Sequence, residues 1–318
     1  MASPAYTSHA ATDVGQGREK NEDACGSTTA AGGELLVVCD GMGGHEAGDL
    51  ASKMAVDAIL QIFASSPEED PGMRLRAGFL VANQRIVAHA IGAKLDGMGT
   101  TAVAAFVRDG EAWIAHVGDS RCYHLRGDQV LWRTSDHTRV QRMVEMGILT
   151  AEQARTHEDA NVVTRALGFS PTDEPPEPEI AAGRELRDGD LLVLCSDGLY
   201  DLVDDAEIAE IGSEDPPATA AQRLVDLANE RGGHDNITVT IARWGSAAPA
   251  RTGPRKTDRD LPPSRATTKT ADLTSSVASA RAILAGDPQR SRALGLAVGG
   301  LVLVALAVAV FLLTRGGT

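Results

Sequence analysis

Four times in the first 245 residues a short aliphatic run meets an aspartate with glycine beside it or within two residues. ELLVVCD closes on Asp40, AWIAHVGD on Asp119 and DLLVLCSD on Asp197, while Asp235 immediately precedes NITVTIAR. Apolar, β-branched runs of this length bounded by turn residues read as strands, so four acids stand at strand ends. Asp next to Gly is an ordinary turn former. Asp40-Gly41, however, leads into a long helical pattern rather than a returning strand, and a hairpin turn does not account for it. If these strand ends converge, the carboxylates repel one another and their pKa values rise unless a cation sits among them. Oxygen donors alone suit hard ions, Mg²⁺ or Mn²⁺, and without a Cys/His cluster there is no case for zinc. HEAGD at 45–49 carries Asp49 where a zinc-binding HExxH has its second His, and no GxxxxGK[ST] follows the glycines of DGMGG.

Strands are expected at 34–40, 101–107, 112–118, 121–126, 129–134, 190–197 and 236–243. Arg108-Asp109-Gly110 and Gly127-Asp128 are turn signals that join neighbours into hairpins. Helical spacing marks 46–64, 72–92 and 216–231, with shorter stretches at 138–146 and 151–157. Consecutive hairpins with long helices before and after them predict antiparallel sheets covered by helices, not a doubly wound parallel sheet.

Composition narrows the function. With 43% hydrophobic and 23% charged residues the chain is globular, and with 3% aromatic residues its core is aliphatic and a base-stacking platform is missing. A net charge of -14 offers no basic footprint for a phosphate backbone, which sets nucleic acid aside as a partner. The charge is uneven: residues 1–245 hold 40 Asp/Glu against 20 Lys/Arg, and residues 246–318 hold 4 against 10. Cys25, Cys39, Cys122 and Cys195 show no CxxC spacing and read as reduced core residues of a cytosolic protein.

Residues 293–313, ALGLAVGGLVLVALAVAVFLL, form an uncharged apolar run of 21, the length a helix needs to cross a bilayer. No signal peptide is expected at the acidic N-terminus. Arg281, Arg290 and Arg292 precede the run and only Arg315 follows it, so the positive-inside rule predicts a single-pass protein in the cell membrane with its large N-terminal part in the cytoplasm. The expected organisation is a globular domain over 1–245, a basic flexible linker over 246–292, the transmembrane helix at 293–313 and a short tail at 314–318.

TDVGQGREKNED (12–23), VVCDGMGGHEAGDLAS (37–52), GTTAVAAF (99–106), HVGDSRCYHLR (116–126), TSDHTRVQ (134–141), CSDGLYD (195–201) and GGHDNITVTIA (232–242) resemble, in order, the motifs of the metal-dependent Ser/Thr protein phosphatases, the PPM or type 2C family. The resemblance covers about 5 to 243, and the layout with a basic linker and a tether looks like bacterial members that work opposite membrane-anchored Ser/Thr kinases. It implies an α+β fold, two antiparallel sheets packed as a sandwich with helices on both outer faces. It also implies Mn²⁺ or Mg²⁺ at two or three sites. By similarity Asp40 bridges two metals, the Gly41 carbonyl, Glu22 and Asp23 hold one side, Asp197 and Asp235 the other, and Asp119 with Asp197 forms a third position. The implied reaction is hydrolysis of phosphoserine or phosphothreonine monoesters on cytoplasmic proteins by a metal-bridged hydroxide, carried out by a monomeric catalytic domain.

Arg18 matches the family's phosphate-binding arginine, and its guanidinium fork can hold two phosphoryl oxygens at once. Eukaryotic relatives carry His directly after the Asp-Gly, where this chain has Met42; His45, three residues on, or metal-bound water supplies the proton for the leaving alkoxide. His45 also reads as a structural residue at the start of helix 46–64. Residues 136–162 fall where bacterial members insert a flap beside the active site. Thr138 and Arg139 there are candidate substrate contacts, Thr138 being equally a helix cap. The alternative function is a catalytically inactive phosphoprotein-binding module of the same fold, which loss of a metal ligand would mark. Asp40, Asp119, Asp197 and Asp235 are all present.

Overall fold

The computed structural model of the chain describes residues 6–43, 47–169 and 175–245. In chain order its elements are β1 (Tyr6–Asp13), β2 (Asp23–Ala30), β3 (Gly33–Met42), α1 (Ala47–Ser65), α2 (Pro71–Ala93), β4 (Gly99–Thr100), β5 (Ala102–Arg108), β6 (Glu111–Val117), β7 (Arg121–Arg126), β8 (Gln129–Arg133), α3 (Arg139–Glu145), α4 (Ala151–Arg155), β9 (Glu179–Glu185), β10 (Leu191–Cys195), α5 (Asp197–Tyr200), α6 (Asp205–Glu214), α7 (Pro217–Glu230) and β11 (Ile237–Trp244). The described residues all fall within one compact unit. The expected linker and the apolar segment 293–313 lie outside the described residues. Among the described residues no helix is long and apolar enough to cross a membrane.

All named strand pairs are antiparallel. One sheet runs β1-β11-β10-β7-β8, the other β2-β3-β5-β6-β9 with β4 paired to β3. The continuous apolar runs follow from burial on both faces. Along β3, Leu35, Val37 and Cys39 join a core shared with α1 and α2, while Leu36 and Val38 face a second core built from both sheets. In β10, Leu192 and Leu194 enter that inter-sheet core, and Leu191, Val193 and Cys195 meet α5, α6 and α7. Side chains alternate faces with period two, so two central strands covered on both sides require apolar residues at every position. Three cores in sequence make four layers: helices, sheet, sheet, helices. The α+β sandwich is therefore as expected, while the expected membrane helix falls outside what the structure describes.

Local chemistry sets the element ends. Asp70 caps α2 by accepting from the Met73 amide at 2.9 Å, with Pro71 at the first helical position. The β5–β6 hairpin turns through Asp109 and Gly110, both at positive φ of 52° and 81°, the geometry of a tight primed turn. Strands β1, β2 and β9 and helix α6 were not anticipated from the sequence. Each of these strands lies at an edge of its sheet, and only one residue of the three, Asp23, is buried; apart from Tyr6 and Ile180 their residues are polar or small. An edge strand with one covered face needs few large apolar side chains, so it leaves little hydrophobic signal.

Candidate metal centre and active site

Register brings the acids to one end of the sandwich. Asp23, first residue of β2, pairs directly with Asp40 near the end of β3. Thr101 donates its amide to the Asp40 carbonyl at 2.8 Å and its hydroxyl oxygen lies 3.1 Å from the Asp40 amide, so β3 is held from the β5 side as well. Asp119 follows the end of β6 by two residues, Asp197 follows the end of β10 by two, and Asp235 precedes β11 by two. The β10 and β11 ends are linked to β2 by Ser196. Its hydroxyl donates to Asp23 Oδ2 at 2.8 Å and accepts from the Thr238 amide at 3.0 Å.

Glu22 is placed through Asn236, whose side-chain oxygen accepts the Glu22 amide at 2.8 Å while its Nδ2 donates to the Val14 and Lys20 carbonyls, each at 2.9 Å. One buried amide side chain thus ties the loop bearing Arg18 and Glu22 to the residue after Asp235. Gly41 donates its amide to the Glu22 carbonyl at 3.2 Å, and a Cβ at Gly41 would lie 2.2 Å from the Gly48 carbonyl oxygen. Only glycine lets β3 pass so close to the start of α1.

The electrostatics are those of crowded acids. Burial first, then Asp23, Asp197 and Asp119, push Asp40 well above the ordinary carboxylate range. The Asp40 and Asp197 carboxyl groups face each other within hydrogen-bonding reach. Asp197 rises to about 6, chiefly by burial and then by Asp201 and Asp235. Asp23 rises to about 7, again by burial first, even though hydrogen bonds from Thr238 and Ser196 pull the other way. Asp119 is raised well above its usual value by burial and by Asp197 and Asp136. Two buried oxygens, Asp23 Oδ1 and Asp197 Oδ1, have no hydrogen-bond partner. Orphaned carboxylate oxygens in a group of mutually repelling acids, with oxygen donors only, fit hard divalent cations.

Arg18 sits at the rim with its side chain 54% exposed, and its Nη2 donates to Asp235 Oδ2 at 2.7 Å. Asp49 spends its carboxylate on Lys20, at 3.1 Å, and on Lys53. His45 lies outside the described residues. Thr138 is buried and caps α3, its hydroxyl accepting from the Gln141 amide at 3.2 Å; the reading as a substrate contact has no exposed surface to rest on. Arg139 is exposed and pairs with Asp159 at 3.2 Å inside the 136–162 segment. Ser196, Asn236 and Thr101 are site residues that sequence reasoning missed. All three sit inside or beside the motifs CSDGLYD, GGHDNITVTIA and GTTAVAAF, but a hydroxyl or amide next to an acid gives no signal of its own until its partner on another strand is known.

A four-layer sandwich with an all-carboxylate cluster at one end is the architecture of a metal-dependent hydrolase. The family model described as Protein phosphatase 2C matches residues 9–237, and the chain belongs to that family. It is 38% identical over 234 residues to the serine/threonine protein phosphatase PstP of Mycobacterium tuberculosis, covering 73% of this chain but 44% of that protein. The chain thus spans less than half the length of PstP. It is 37% identical to protein phosphatase PhpP of Streptococcus pneumoniae over 238 residues, 72% of this chain and 94% of PhpP. Among solved structures, the catalytic domain of PstP in complex with 2 manganese ions superposes with a TM-score of 0.66 at 35% identity, over 76% of this chain and 99% of that one.

Proposed function

We propose that this protein is a phosphatase that hydrolyses phosphoserine and phosphothreonine monoesters on cytoplasmic proteins, tethered to the cell membrane by 293–313 and acting opposite membrane Ser/Thr kinases. The observation that carries the chemistry is the carboxylate cluster with its unpartnered Asp23 and Asp197 oxygens. The names of the relatives support the substrate class, and the uncharged run of 21 residues supports the tether.

Asp40, set between Asp23 and Asp197, would hold two cations in common; Glu22, Asp23 and the Gly41 carbonyl serve one side, Asp197 and Asp235 the other, and Asp119 with Asp197 a third position. When bound, Mn²⁺ or Mg²⁺ supplies charge neutralisation and an acidified water, the two needs of a phosphate monoester dianion. Arg18 supplies the fork for two phosphoryl oxygens, and Asp235 keeps that guanidinium at the rim until a dianion competes for it. Ser196, Thr101 and Asn236 hold the acids at fixed spacing before substrate arrives, so little reorganisation remains for the reaction.

The test is phosphate release from phosphoserine and phosphothreonine peptides with Mn²⁺, with Mg²⁺ and with chelator. Activity that needs the metal and is lost in Asp40→Asn, with an unchanged circular dichroism spectrum, supports the reading. Turnover above about a tenth of wild type in Asp40→Asn at saturating Mn²⁺ would falsify the shared-carboxylate arrangement.

A further inference from the structure

His116, His137 and Glu179 form a cluster outside the carboxylate centre, with one candidate ligand atom of each within 4.8 Å of the others. The residue types suggest a transition-metal site, but the hydrogen bonds argue otherwise. The Gly118 amide, which can only donate, points at His137 Nδ1 at 3.1 Å. Nδ1 of His137 is therefore an unprotonated acceptor, and in a neutral ring the proton must sit on Nε2, which faces Glu179 Oε2 at 3.5 Å. That nitrogen has no lone pair for a metal. Burial, His116 and Arg165 lower the His137 pKa to about 4, against the opposing pull of Glu179, so the ring is neutral at ordinary pH.

What His137 does hold is the backbone before Asp119. Its own amide donates to the Gly118 carbonyl at 3.0 Å, so Gly118 is gripped at both its N–H and its C=O by one residue. The other neighbours of Asp119 are fixed too: Tyr200 donates its hydroxyl to the Asp119 carbonyl at 3.1 Å, and the Ser120 and Thr101 hydroxyls are 2.6 Å apart. Gly118 adopts φ +102°, and a Cβ there would lie 2.6 Å from the Thr101 side chain, so this segment has one conformation to take. The His137 ring is itself held by stacking on His116, centroids 4.6 Å apart at 19°, and His116 Nε2 lies 2.8 Å from the Ser135 carbonyl oxygen. The carbonyl of His137 accepts from the Thr164 amide at 2.7 Å and hydroxyl at 2.9 Å, which places the clamp where the 136–162 segment leaves and rejoins the body.

We propose that His137 is a positioning residue: its neutral Nδ1 and its backbone N–H clamp Gly118 and thereby aim the Asp119 carboxylate into the metal centre. The inference rests on the phosphatase reading for its effect on turnover and on hydrogen bonding alone for the clamp. The experiment compares the full chain with His137→Ala and His137→Asn, because Asn can offer its Oδ1 where Nδ1 stood. Expected for His137→Ala are faster hydrogen exchange at the Gly118 amide and a kcat lower by about 10- to 100-fold at unchanged KM, the range seen when a residue that orients a metal ligand is lost. His137→Asn restores slow exchange and most of kcat. In the wild type, imidazole ¹⁵N spectra show His137 protonated on Nε2 and not on Nδ1, which needs no variant to fold. Protonation at Nδ1, wild-type turnover in His137→Ala, or His137→Asn as impaired as His137→Ala in both exchange and kcat overturns the proposal. A wild-type chain that releases no phosphate overturns the phosphatase reading instead, while the exchange and imidazole spectra still decide the clamp.

Discussion

Ser196 donates its hydroxyl hydrogen to Asp23 Oδ2 at 2.8 Å, a bond that crosses from the end of one sheet to the first residue of the other, 173 positions apart in sequence. Ser196 is fully buried, and its oxygen also accepts the Thr238 amide, so a single hydroxyl sets the spacing of β2, β10 and β11 where the acids meet.

Ser196→Ala leaves the Thr238 amide without that acceptor and removes a hydrogen bond that favours ionised Asp23. A lost buried hydrogen bond costs about 1–3 kcal/mol. Thermal unfolding should report a loss of that order, and the Mn²⁺ concentration for half-maximal phosphate release should rise, because Asp23 becomes harder to ionise. Unchanged Mn²⁺ dependence would confine Ser196 to a structural role.

The raised acids make stability without metal depend on pH in an unusual direction. Asp23 and Asp197 go from 3.8 to about 7 and about 6, so between those values the folded state binds more protons than the unfolded one. A folded-state pKa raised in this way contributes stability that is present below 3.8 and lost as pH climbs through about 7. The chelator-treated protein should therefore lose Tm from about pH 4 to about pH 7, and Mn²⁺ should raise Tm most at the upper end. Scanning fluorimetry at several pH values, with and without metal, measures both slopes; a stabilisation by Mn²⁺ that shrinks with rising pH contradicts the assignment.

Arg18→Ala separates binding from chemistry. Hydrogen bonds to charged groups contribute about 1.5–3 kcal/mol, so KM for phosphopeptides should rise by about 10- to 100-fold and inhibition by phosphate should weaken, with kcat much less affected. Because Arg18 also pairs with Asp235 at 2.7 Å, a fall in kcat and metal affinity at constant KM would show that it serves the carboxylates instead.

The tether is tested by truncation and by topology. Residues 1–245 contain every proposed ligand and should give a soluble, acidic, active monomer, since a membrane anchor changes local concentration rather than the reaction. Protease added outside intact cells should leave the catalytic part of the full chain untouched. An inactive but folded 1–245, or cleavage of the catalytic part from outside, would reject the arrangement.

Burial on two faces makes β3 and β10 legible, because every position must then be apolar and the run stops where the chain meets a polar end. The same logic places Asp40, Asp119, Asp197 and Asp235 at strand ends, and helical periodicity marks α1, α2 and α7 to within a residue or two of their observed limits. Those features are local: propensity, periodicity and turn chemistry act within a few residues and need no knowledge of the partner strand. What tertiary structure alone decided is which end meets which. The pairing of Asp23 with Asp40, the grip of His137 on Gly118, the threefold use of Asn236 and the bond from Ser196 to Asp23 all join residues on different segments, the last across 173 positions. The edge strands β1, β2 and β9 were likewise decided by neighbours, their stability coming from ladder hydrogen bonds and one covered face rather than from a hydrophobic pattern of their own. Registers and long-range hydrogen bonds are set by how two sheets pack over a shared core, and that free energy belongs to pairs of segments that no single stretch of sequence contains.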